Sequence, residues 1–76
     1  MTNRVTIDQN ICNGKPVITG TRVLVSNILA DLANNETFDS IIQNYPNIKY
    51  EDISACLMFS SELTQFETIQ FHQAAV

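Results

Sequence analysis

The sequence predicts a mainly α domain, a helix-turn-helix-like set of three helices preceded by two short N-terminal β-strands. Three features point there. Residues 4–23 combine β-branched alternation with turn residues. From Leu24 the hydrophobic period changes to that of a helix. Two interruptions, Asn34-Asn35 and Pro46, then divide the helical part into three.

The extended part comes first. Arg4-Val5-Thr6-Ile7 alternates polar and apolar residues, a short strand signal. Asn13-Gly14 is a turn dipeptide that tolerates positive φ, and Pro16 excludes helix around it. Val17-Ile18 reads as the second strand, broken by Thr19-Gly20-Thr21. A lone two-stranded ribbon is marginal in water, so the pair must pack on something, within the chain or across a dimer.

The helical part follows. Val25, Ile28, Leu29, Leu32 and Ala33 lie on one face of a first helix, which Asn34-Asn35 can end because Asn accepts a left-handed cap. Thr37 is the expected N-cap of a second helix whose inner residues are Phe38, Ile41, Ile42 and Tyr45. Pro46 stops it. A third helix begins near Tyr50, with Glu51 and Asp52 in its first turn where carboxylates suit the helix dipole. Its expected inner face is Ile53, Cys56, Leu57, Ser60 and Leu63, widened by Phe59, and it is expected to reach Phe66. The whole chain, 1–76, reads as one domain: an extended segment 1–23, helices over 24–66, and a tail 67–76 with no assigned structure.

Composition narrows the function classes. The chain has 76 residues, 45% of them apolar and 16% charged, so it is a small folded domain with no room for separate catalytic and regulatory units. No run is apolar and long enough to span a membrane, and Met1 onward lacks the pattern of a signal peptide, so a cytoplasmic location is expected. Cys12 and Cys56 read as reduced thiols packed as small hydrophobes, and with His72 they do not supply a zinc site. No metal or other cofactor is expected. Catalysis is not expected either, because the single histidine lies near the end and neither cysteine has a base clustered with it in the sequence.

The net charge of −4 argues against a strongly cationic nucleic-acid binder, but the charge is uneven. Residues 1–24 carry +2, from Arg4, Lys15 and Arg22 against Asp8; residues 25–76 carry −6, from Lys49 against seven acids. Gly14-Lys15-Pro16 through Arg22 does not have the lysine placement of a phosphate loop. Arg22 is expected either to pair with a carboxylate such as Asp8 or to contact a phosphate. If the third helix entered a groove, its exposed Lys49, Glu51, Asp52, Ser54, Ala55 and Met58 would bring two acids to the phosphates. The candidates for DNA contact are therefore Arg4, Lys15, Arg22 and Lys49, three of them on the extended part. Phe66, Ile69 and Phe71 are apolar residues without an evident core, available for core closure, self-association or a protein partner.

The string Asp8-Gln9-Asn10-Ile11-Cys12-Asn13-Gly14-Lys15-Pro16-Val17-Ile18, with Gly20-Thr21-Arg22-Val23, resembles the signature of a small prokaryotic domain-of-unknown-function family whose members are similar to VapB-type antitoxins. The likeness continues through Ile41-Ile42, Tyr45-Pro46 and Glu51-Asp52-Ile53 to Ala55, covering about residues 4 to 60. It departs where family members commonly carry proline at Leu24 and Thr-Pro at Lys49-Tyr50. The resemblance implies a homeodomain-like fold, a homodimer, and a non-catalytic antitoxin of a type II toxin–antitoxin pair that masks a PIN-like ribonuclease toxin through its C-terminal segment and binds operator DNA. The residues alone leave two alternatives open: a dimeric helix-turn-helix transcriptional regulator and a plain dimerising scaffold.

Overall fold

The structure is a computed structural model, described here over residues 3–65. The chain is mainly α, with a two-stranded antiparallel sheet at its N-terminal end. In order it forms β1 (Val5–Thr6), a 3-10 turn (Cys12–Gly14), β2 (Val17–Ile18), α1 (Val25–Ala33), α2 (Phe38–Asn44) and α3 (Tyr50–Leu63). The strands pair within the chain, Val5 with Ile18 and Thr6 with Val17.

The ribbon is held from both sides. After β2, Thr19-Gly20 makes a tight turn closed by the Thr21 N–H donating to the Ile18 carbonyl at 3.0 Å. Gly20 has φ +81, a value that side chains strain to adopt, so glycine suits this position. The chain then returns along β2: the Ile18 N–H donates to the Val23 carbonyl at 2.9 Å, and Val17 bridges to Leu24. Val17 and Ile18 thus lie between two neighbours and are each 1% exposed. Before β2, Cys12, Asn13 and Gly14 all have positive φ, a left-handed turn that the Asn13-Gly14 pair makes accessible.

The helix ends follow local chemistry. α1 has no side-chain N-cap, but the Val25 N–H, which has no intrahelical partner, donates to the Pro16 carbonyl at 3.0 Å. Its C-terminus is a Schellman closure, with Asn35 at φ 67 donating to the Leu32 carbonyl and the Glu36 N–H to the Asp31 carbonyl, both at 3.0 Å. Thr37 caps α2 by accepting the Ser40 N–H at 3.1 Å, and the Ser40 hydroxyl accepts the Thr37 N–H at 3.1 Å. α2 stops before Pro46, and the Ile48 N–H donates to the Tyr45 carbonyl in the turn that leads to α3.

Each helix packs on the other two, and β1 packs on α3. The core joins Val5 and Ile18 of the ribbon to Val25 and Ile28, Ile41, Ile48, and Ile53, Cys56 and Phe59. Phe38 and Ile42 of α2 and Tyr45 just after it are half-buried against it, as expected, and Phe38 meets Tyr50 edge to face, their ring centroids 6.1 Å apart. Three expectations need correction. Ala33 is exposed, because α1 ends in its cap there. α3 ends at Leu63, short of the expected Phe66: the Thr64 hydroxyl takes up the Ser60 and Ser61 carbonyls, and Thr64 and Gln65 are not helical. Its inner face is Asp52, Ile53, Ala55, Cys56 and Phe59, whereas Leu57 and Leu63 are 44% and 52% exposed. Among the described residues, no helix is long and apolar enough to cross a membrane.

Because Thr37 satisfies a helix donor that has no intrahelical partner, Thr37→Ala should cost about 1 kcal/mol. In a domain this size that lowers the melting temperature by roughly 4–8 °C in a thermal scan.

Candidate functional site

The four cations expected to contact DNA occupy two places. Arg4 precedes β1 and Lys49 precedes α3, and the Arg4 guanidinium and the Lys49 backbone N–H meet at Asp52. Lys15 and Arg22 are exposed on the turns at either side of β2.

At the first place, Asp52 is 8% exposed and uses both carboxylate oxygens. Oδ1 accepts from Arg4 Nη1 at 3.0 Å. Oδ2 accepts from the Lys49 backbone N–H at 2.9 Å, which caps the start of α3. The carboxylate also stands in the first turn of α3, where the helix dipole favours it. Asp52 was expected to face outward and repel phosphates. Its inward position leaves Glu51 as the exposed acid of that turn, and it commits Arg4 to an internal contact. Ala55, likewise expected outside, is buried.

At the second place the anticipated Arg22–Asp8 pair does not form. Asp8 Oδ1 instead accepts the Asn10 N–H at 2.8 Å, an Asx turn that opens the loop to the left-handed segment. Among the described residues Arg22 makes no ion pair; its carbonyl accepts a weak contact from the Cys12 thiol at 3.8 Å. Thr21 fixes the turn by donating its hydroxyl to the Ile18 carbonyl at 2.7 Å and accepting the Val23 N–H at 2.9 Å. An open pocket of about 350 Å³ lies here, lined by Thr6, Ile11, Val17, Gly20, Thr21 and Arg22.

The expected protein-contact residues Phe66, Ile69 and Phe71 lie outside the described residues. Within them, Tyr50, Leu57 and Met58 are 51%, 44% and 54% exposed, and their spacing of i, i+7 and i+8 puts them on one outward face of α3. Among the described residues no group of three or more His, Cys, Asp or Glu side chains stands where it could hold a metal ion. Cys56 is buried, and burial, aided by the Asp52 charge, raises its thiol to about 11.

Two features escaped sequence reading. The pocket depends on a reversal at Gly20 that places Val23-Leu24 beside β2, and this had no periodic signature. The Asp52 cap did leave a local trace, an acid three residues after the residue that precedes the helix, which is the spacing of a capping box.

Three experiments follow from this geometry. Asp52→Ala removes a helix cap and the acceptor for Arg4, and should cost about 2–3 kcal/mol in urea unfolding. Arg4→Ala, whose partner contact is partly exposed, should cost about 1 kcal/mol or less, and a double-mutant cycle should show positive coupling between the two. For Cys56, the unfolded thiol ionises near 9.0 and the folded one near 11, so its contribution to stability is complete below pH 9 and is lost as the pH rises towards 11. Urea midpoints should fall over that range and fall less in Cys56→Ala, and at pH 8 a thiol reagent should label Cys12 well before Cys56.

No curated protein and no solved structure shows significant similarity to the chain. A family described as "Protein of unknown function (DUF433)" matches residues 5–60, from the first residue of β1 to the Ser60 turn of α3. That span holds the ribbon, the pocket, Asp52 with the α3 start that it caps, and the entire core, so the chain belongs to the DUF433 family.

Proposed function

We propose that this protein is a non-catalytic, antitoxin-like binding protein that neutralises a PIN-like ribonuclease toxin of a type II pair by direct contact. One observation supports this above others: the acidic helical part exposes apolar surface at Tyr50, Leu57 and Met58, on one outward face of the helix that precedes Phe66, Ile69 and Phe71. A nuclease presents a cationic surface to RNA, and an apolar strip within an acidic field complements such a surface. Burial of three side chains of the tail on the toxin would contribute roughly 5–8 kcal/mol before ordering costs. The resemblance to VapB-type antitoxins adds the partner class, and the protein would act in the cytoplasm as a homodimer.

A second reading, operator DNA binding, is favoured by the inward turn of Asp52. With that acid withdrawn, the start of α3 opposes phosphates less than its sequence suggests, and Lys15, Arg22 and Lys49 are exposed. Arg4 is committed to Asp52, so three cations per chain remain, or six per dimer, and the salt dependence of DNA binding should have a log–log slope no steeper than about −5.

The deciding experiment is co-expression with the product of the adjacent gene. The native chain should co-purify with it and restore growth, and the pair Phe66→Ser with Phe71→Ser should lose both while keeping the native helical circular dichroism and thermal transition. Retained neutralisation, or unfolding of the isolated variant, overturns the assignment of those residues. Absence of both partner and rescue favours a dimerising scaffold. A gel-shift on the gene's own upstream DNA tests the second reading, which falls if neither the protein nor its complex is retarded at low salt.

A further inference from the structure

We infer that the pocket between the ribbon and the left-handed turn is a binding site for a carboxylate carried on a short aliphatic stem, with Arg22 as its anchor. The site lies on the cationic extended part and does not depend on the toxin reading.

Thr21 has already spent its hydroxyl proton on the Ile18 carbonyl. Thr19 donates to the Asn3 carbonyl at 2.9 Å, so in the 2.7 Å contact between the Thr6 and Thr19 hydroxyls the proton comes from Thr6. Neither threonine of the lining therefore has a hydroxyl proton left for a ligand. Among the described residues Arg22 is the one charged residue of the pocket wall and makes no ion pair. A single guanidinium matches one carboxylate in a bidentate pair. A phosphate dianion carries a second charge, and the lining among the described residues holds no second cation to match it.

The rest of the wall selects what carries the charge. Ile11 and Val17 are aliphatic, and with their hydroxyls engaged Thr6 and Thr21 have methyl groups to offer. A volume of about 350 Å³ lies at the lower end of the range for small-ligand pockets and admits several methylenes beside the charged head. The floor is rigid, because Val17 is hydrogen-bonded ribbon on both sides. A free short-chain acid and a glutamate side chain on a bound protein share this chemistry.

A titration of the full 76-residue chain followed by amide chemical shifts tests the assignment. The probes are acetate, pentanoate, inorganic phosphate, and an acetylated, amidated Ala-Glu-Ala peptide. Millimolar pentanoate should shift the amides of Ile11, Gly20, Thr21 and Arg22, binding about tenfold more tightly than acetate because of its extra methylenes. Arg22→Gln, an exposed substitution outside the core, should abolish these shifts, and Arg22→Lys should retain them at reduced affinity because the bidentate fork is lost. A peptide that binds as tightly as pentanoate places the carboxylate on a protein side chain; a peptide that binds at least tenfold more weakly places it on a free acid. The proposal is overturned if pentanoate produces no shifts, if it binds no better than acetate or phosphate, or if the shifts survive in Arg22→Gln.

Discussion

The carboxylate of Asp52 stands where the two halves of this chain meet, and most of the architecture passes through it. One oxygen closes the first turn of α3 and the other holds Arg4 in front of β1. A two-stranded ribbon of two residues per strand has no stability of its own. It persists because Val5 and Ile18 join the helical core and because a charge-assisted hydrogen bond ties its leading residue to a helix. A nearly buried carboxylate without these partners would be costly; with both oxygens bonded it fixes the angle at which the ribbon meets the bundle.

How well the sequence could be read depended on the range of the forces involved. Asn35, Thr37 and Pro46 act within a turn of their own position, and the helix ends they imply are those observed. The inner face of α3 was misread because periodicity ranks residues by type and takes no account of what covers them. The covered face of α3 runs through Ile53, Cys56 and Phe59; Leu57 stands about 100° round the helix from Cys56, outside that face, and Leu63 lies in the last turn. Leu57 and Leu63 are apolar but uncovered, and Asp52 is charged but satisfied by a residue 48 positions away. Ile48, in a segment that read as a bare connection, is 4% exposed and belongs to the core.

The same distinction sorts the functional candidates. The division into a cationic extended part and an acidic helical part is visible in composition alone, and the folded chain keeps it. The roles within each part were not visible. Arg4 counts as a cation in the sequence but serves as an internal strut, and Arg22, expected in an internal pair, stands at a pocket instead. Counting charges therefore overstates what the ribbon offers to phosphates, and it also overstates what α3 does to repel them.

The separation of 48 residues between Arg4 and Asp52 also has a consequence in time. During synthesis the ribbon residues leave the ribosome first, and their anchor leaves last among the elements that form the core. Val5 and Ile18 must then remain without their full set of apolar neighbours until α3 has emerged, and closing a loop of this length is entropically costly before any contact rewards it. The nascent ribbon is thus an unanchored, partly apolar segment until α3 has emerged. A chain shortened before α3 would leave it so permanently, as a natural target for proteolysis.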